Sequence, residues 1–90
     1  MTRRSKLEII SDILCAIRDK SGGKIKPTHL LYKSNLSHKK MTEYLEELIS
    51  KEMVKEELVD TYKYIIITDK GLGFLTEIKR IEEFTESFGL

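Results

Sequence analysis

The sequence predicts a mainly α domain (α+β) that carries one small β-hairpin and ends in a long helix. Three observations predict it. Apolar residues recur three and four positions apart in several stretches, the spacing of helices with one buried stripe. The run Tyr62-Lys63-Tyr64-Ile65-Ile66-Ile67-Thr68 is dense in β-branched and aromatic residues, as strands are. Before it lie Met53 to Val59 and the turn signal Asp60-Thr61, so the two runs read as a hairpin.

The first helix spans Ser5 to Lys20, with Leu7, Ile10, Ile13, Leu14 and Ile17 along its stripe and Ile9 and Ala16 widening it. Ser5 followed by Glu8 makes a capping box. Ser21-Gly22-Gly23 stops the helix, because glycine accepts the left-handed conformation that a helix end needs. Lys24-Ile25-Lys26 reads as a short strand with Ile25 inward and both lysines outward. Pro27 suits the entry to a second, short helix over Thr28 to Lys33, since its missing N–H has no partner there anyway. Leu30, Leu31 and Tyr32 are the residues expected to pack inward, and Ser34-Asn35-Leu36 forms the turn that follows.

The third helix carries Met41, Tyr44, Leu45, Leu48 and Ile49 as one buried stripe. Ser37 is its N-cap, placed to accept from backbone N–H groups that the first turn leaves unpaired. The start of this helix, Ser37, His38, Lys39, Lys40, Thr42 and Glu43, is exposed, hydrogen-bonding and net positive. After the hairpin, Thr68 caps the last helix, and Asp69 stands in its first turn where the helix dipole favours an anion. It runs to Ser87, about 28 Å at ~1.5 Å per residue. Gly71 and Gly73 near its start imply close approach to another backbone. Phe74, Ile78, Ile81, Thr85 and Phe88 are spaced as a coiled-coil seam, with Leu75 and Phe84 flanking it. Leu72 and Leu75 are expected to pack on the body, leaving Ile78, Ile81, Phe84 and Phe88 in water. Such a row marks an interface, here a homodimer. The alternative is a helix folded back over its own domain.

Helix, short helix, tight turn and capped helix is helix-turn-helix connectivity, and the hairpin after it supplies a wing with Asp60, Thr61, Tyr62 and Lys63 at its tip. The expected architecture is therefore a winged helix-turn-helix with a long C-terminal helix. Residues 1–68 form the DNA-binding unit and 69–90 the dimerisation helix of a single compact domain.

Charge supports a polyanion partner. The net charge is only +1, but residues 1–45 hold ten Lys/Arg against four acids, a balance of +6, while residues 46–90 hold six against eleven, a balance of −5. A molecule so divided offers one basic face; the alternative is that both halves are ordinary solvated surface. Phosphates attract Lys and Arg without reading sequence, which nominates Arg3, Arg4, Lys6, Lys33, Lys39, Lys40 and Lys63. Base edges in the major groove are read from the start of a recognition helix, here Ser37, His38, Lys39, Thr42 and Glu43. A protein-docking module is the competing reading, with Glu46, Glu47, Glu52, Glu56 and Glu57 suited to a basic partner.

These elements resemble the small archaeal winged-helix DNA-binding proteins. The resemblance rests on Arg3-Arg4-Ser5-Lys6-Leu7-Glu8-Ile9-Ile10, on Leu31-Tyr32-Lys33-Ser34-Asn35-Leu36-Ser37 and on Tyr44-Leu45-Glu46-Glu47-Leu48-Ile49. It also rests on Ile67-Thr68-Asp69-Lys70-Gly71-Leu72-Gly73-Phe74-Leu75, which is similar to the family's Thr-x-Lys-Gly-x-x-Phe-Leu run. It implies a homodimer in which Phe74, Ile78, Ile81, Phe84 and Phe88 pair two C-terminal helices in an antiparallel coiled coil. The implied role is transcription regulation or general DNA coating. The chain departs from the family after Ile49, where a glycine is common and Lys51-Glu52-Met53 stands instead.

Other functions find little support. Two histidines, His29 and His38, and one cysteine, Cys15, show no metal-ligand spacing, and the glycines form no phosphate loop. No catalysis, metal, cofactor or small-molecule ligand is expected. Cys15, on the apolar face of the first helix, reads as a small core residue. No apolar run approaches the ~20 residues that span a bilayer, and the basic start leads into an amphipathic segment rather than a signal peptide. The expected location is the cytoplasm, on the nucleoid.

Overall fold

The computed structural model describes residues 5–90. Helix α1 (Lys6–Asp19) leads through a 3-10 turn over Ser21–Gly23 to strand β1 (Lys24–Ile25) and helix α2 (Pro27–Ser34). Helix α3 (His38–Ser50), strands β2 (Val54–Val59) and β3 (Tyr62–Ile67) and helix α4 (Asp69–Ser87) follow. The strands form an antiparallel sheet in the order β1-β3-β2, so the short strand after α1 becomes the third member of the hairpin's sheet.

The core is where the stripes converge. Ile10, Ile13, Leu14 and Ile17 of α1 meet Ile25, Leu30, Met41, Leu48, Val54, Ile65 and Leu75, with Cys15 packed at the margin. Leu7 departs from this stripe and stays exposed at the start of α1. Both sides of the α1 cap are occupied: the Glu8 N–H donates to Ser5 Oγ (3.1 Å), and that hydroxyl lies 3.2 Å from Glu8 Oε1. The reciprocal bond thus runs between side chains, where a capping box would have the carboxylate accept from the cap's own N–H.

Tyr32 points out of the core, 84% exposed. On α2 the inward positions are Leu30 and Ser34, four apart, and Tyr32 lies midway between them on the opposite face. Ser34, buried, donates its hydroxyl to the Leu30 carbonyl (2.8 Å), so a polar residue occupies an inward site with its donor satisfied. Asn35 then turns the chain in the left-handed conformation (φ 55°).

Two junctions tie the end of α3 to the start of α4. At the end of α3 the Glu52 N–H donates to the Ile49 carbonyl (3.0 Å) and the Met53 N–H to that of Leu48 (2.9 Å). That is a Schellman turn, and Glu52 holds its left-handed position (φ 62°) at the place where a glycine is expected from family resemblance. Thr68 N–H then donates to Met53 O (3.0 Å), and its hydroxyl caps α4 by accepting from the Gly71 N–H (3.1 Å). A Cβ on Gly71 would fall on the Met53 carbonyl oxygen and 2.8 Å from Ile67 Cγ1. Gly73 has open space around it, so the close approach belongs to Gly71 alone.

Helix α4 crosses α1 at Leu75 and Ile78, midway along its length. Ile78, expected in water, is 7% exposed because this crossing covers it together with Leu75. Beyond it Ile81 (59%), Phe84 (67%) and Phe88 (68%) are open to solvent.

Candidate nucleic-acid interface

The start of α3 is a polar end on an anchored rod. Met41 and Leu48 are buried on its inner face, while His38, Lys39, Lys40, Thr42 and Glu43 are exposed on the outer one. Ser37 accepts from the Lys40 N–H (3.2 Å), which fixes the first turn. The Thr42 hydroxyl donates to the His38 carbonyl (2.9 Å), leaving its lone pairs outward as acceptors. Lys40 stands a loose 3.7 Å from Glu43, and among the described residues Lys39 has no ion-pair partner. Pro27, Thr28 and Leu31 of α2 share a cleft of about 110 Å³ with His38, Thr42 and Leu45 of α3, so the two helices begin side by side.

The hairpin tip is a tight turn at Asp60 (φ 51°) and Thr61 (φ 77°). Two successive left-handed residues give the turn whose twist matches that of the flanking strands. Tyr62 opens β3 and is exposed.

The predicted phosphate contacts fare unequally. Lys63 is 3.1 Å from Glu56 across the hairpin. Lys6 is 2.8 Å from Glu47 of α3, whose carboxylate accepts its hydrogen bond and holds its pKa above the ordinary lysine value. Lys33 lies in the last turn of α2, where its charge also complements the helix dipole. Arg3 and Arg4 lie outside the described residues. The sequence assigned no role to Lys24 and Lys26, yet each ammonium rests over a tyrosine ring, Lys24 over Tyr64 (5.3 Å to the centroid) and Lys26 over Tyr62 (4.2 Å). The available signal was the matching i, i+2 spacing in Lys24-Ile25-Lys26 and Tyr62-Lys63-Tyr64. The register that joins them is a property of the sheet.

Among the described residues no group of three or more His, Cys, Asp or Glu side chains could hold a metal ion, and no helix is long and apolar enough to cross a membrane.

The sequence model of the winged helix-turn-helix family matches residues 3–86. Comparison with curated proteins gave no match. Among solved structures the chain is similar to Sso10a-2, a DNA-binding protein from Sulfolobus solfataricus, with TM-score 0.75 and 25% identity over 94% of this chain and 85% of that one. F93 from STIV, a winged-helix DNA-binding protein, is similar with TM-score 0.68 and 17% identity over 90% and 92% of the two chains. AbsC, a MarR family transcriptional regulator from Streptomyces coelicolor, aligns with TM-score 0.71 and 14% identity over 79% of this chain. The alignment spans 50% of AbsC.

Proposed function

Since the chain belongs to the winged helix-turn-helix family, we propose that it binds double-stranded DNA as a homodimer and regulates transcription. The observation that carries the reading is the start of α3, an exposed basic end on a helix anchored by Met41 and Leu48. In this reading α3 enters the major groove, with Ser37, His38, Lys39, Thr42 and Glu43 facing base edges and Lys39 and Lys40 facing phosphates. The wing at Asp60, Thr61 and Tyr62 reaches the flanking backbone, joined by Arg3, Arg4, Lys6, Lys33 and Lys63. Sso10a-2 and F93, both DNA-binding proteins, support the DNA reading, and AbsC supports the regulatory one.

The homodimer rests on α4. Ile81, Phe84 and Phe88 form an exposed apolar row at the end of the helix, and the Phe84 and Phe88 rings meet at a tilt (centroids 5.1 Å apart, planes at 54°). A second copy covers that row and fixes the distance between two α3 helices. Phe74 and Ile78, covered in part or in full by their own chain, form the inner margin of that interface.

Lys39→Ala combined with Lys40→Ala tests the assignment of α3. Each lost phosphate contact weakens binding on the order of tenfold near ~0.1 M salt, so a loss on the order of a hundredfold for each protomer on the duplex is expected in a titration. Unchanged affinity removes α3 from the interface. No binding by the unaltered chain even at low salt would favour the protein-docking reading instead.

A further inference from the structure

We infer that Lys24 and Lys26, held by Tyr64 and Tyr62, form a second phosphate-contact row that takes the DNA backbone between the start of α3 and the wing. The inference rests on the duplex-DNA reading and adds to it residues outside both of its named elements.

Position is the first argument. Lys26 is the residue before Pro27, at the start of α2, and the starts of α2 and α3 share one cleft. Its ammonium lies over Tyr62, the wing residue beside the Asp60-Thr61 turn. Lys26 therefore links the two elements proposed to contact DNA. Lys24 continues the row: it pairs with Ile66 in the sheet and leans one diagonal step along β3 onto Tyr64, as Lys26 leans onto Tyr62.

Charge is the second argument, and it separates these lysines from Lys6 and Lys63. Lys6 lies 2.8 Å from the Glu47 carboxylate and Lys63 3.1 Å from that of Glu56. A phosphate approaching either of them also approaches an anion, so the net attraction is small. A tyrosine ring positions an ammonium through its quadrupole and leaves the full positive charge in place. The ammonium has three N–H donors, so the ring can take one side while the others reach a phosphate oxygen. The acid on the same sheet face, Glu57, stands on β2, with β3 between it and the lysines. The ring also holds each flexible stem near one geometry before binding, which reduces the ordering that a phosphate contact requires.

The test is the salt dependence of affinity for a random-sequence duplex, read by fluorescence anisotropy on the full chain between about 50 and about 300 mM salt. Each phosphate contact contributes about 0.9 to the slope of log K against log salt. Lys24→Gln with Lys26→Gln, which keeps most of each stem, should lower the slope by about 1.8 for each protomer on the duplex. Lys63→Gln should lower it by less than one such contact does, because Glu56 already offsets part of that charge. Lys26→Arg should keep the slope of the unaltered chain, and Tyr64→Ala should weaken binding several-fold while Tyr64→Phe, which keeps the ring under Lys24, does not. A thermal midpoint equal to that of the unaltered chain shows that the double variant is folded; if it is not, Lys26→Gln alone carries the test. An unaltered slope when Lys24 and Lys26 are replaced by Gln overturns this inference and leaves the α3 reading standing. Failure of the unaltered chain to bind duplex overturns both.

Discussion

Helices α3 and α4 start alike, at hydroxyl caps on Ser37 and Thr68 that each accept from the N–H three residues on, and end alike, in Schellman turns with Glu52 and Gly89 in the left-handed position. Both carry an apolar stripe on an otherwise polar surface. They differ in what covers the stripe. Met41 and Leu48 of α3 are closed over by the chain's own core, whereas α4 is covered as far as Ile78 and then runs on with Ile81, Phe84 and Phe88 in water. Periodicity therefore identifies the face that a helix will bury, while the identity of the cover depends on how far the rest of the chain extends.

The strongest way to break that contrast is to remove the exposed row. Burying a phenylalanine contributes about 1.5–3 kcal/mol, and a symmetric pairing of two α4 helices buries Phe84 and Phe88 twice over. Phe84→Ala with Phe88→Ala should raise the dimer dissociation constant by more than about a thousandfold. Light scattering at micromolar concentration should then report a single-chain mass. The thermal midpoint at high dilution should barely change, because a lone chain already exposes both rings. A single-chain mass for the unaltered protein would mean that nothing covers the end of α4, and the proposed dimer would fall.

The next effect lies at the junction between the two helices. Gly71→Ala places a methyl group against the Met53 backbone carbonyl and the Ile67 side chain, and overpacking of that kind destabilises by about 1–3 kcal/mol. Gly73→Ala, in open space on an exposed face, should instead stabilise by up to about 1 kcal/mol, the difference in helix propensity. Urea midpoints measure both. Equal midpoints for the two variants would show that α4 does not depend on its approach to Met53.

The contrast between the helices also marks how far the sequence could be read. The caps at Ser5, Ser37 and Thr68, the hairpin and the inner stripe of each helix follow from local rules, because each concerns residues within one or two turns of one another. Ile78 went the other way because α1 crosses over it, and Tyr32 because burying Leu30 and Ser34 turns it to the opposite face of α2. Lys24 and Lys26 acquired partners about forty residues away, through a β1–β3 register that no local pattern encodes. Basic residues could be counted from the sequence, but which of them already face a carboxylate could not. In Lys6 and Glu47 the two partners come from α1 and α3, brought together only by packing.

The smallest expected effect sharpens the comparison at the helix ends. Gly89 takes its left-handed position without penalty, but Glu52, at the same position after α3, has a Cβ that crowds the following carbonyl at a cost of about 1–2 kcal/mol. Among the described residues the Glu52 side chain makes no ion pair, and the Thr68 hydroxyl reaches its carbonyl oxygen (2.7 Å), a backbone atom that any residue supplies. Glu52→Gly therefore relieves the strain and keeps every bond of the turn. Glycine's greater freedom in the unfolded chain returns part of the gain, roughly 0.5–1 kcal/mol, so the net stabilisation should be about 0.5–1 kcal/mol. For a chain of this size that raises the thermal midpoint by about 4 °C. A midpoint that falls would mean that the Glu52 side chain contributes more to the folded state than the strain removes, and α3 would then end on a side-chain interaction where α4 ends on backbone geometry alone.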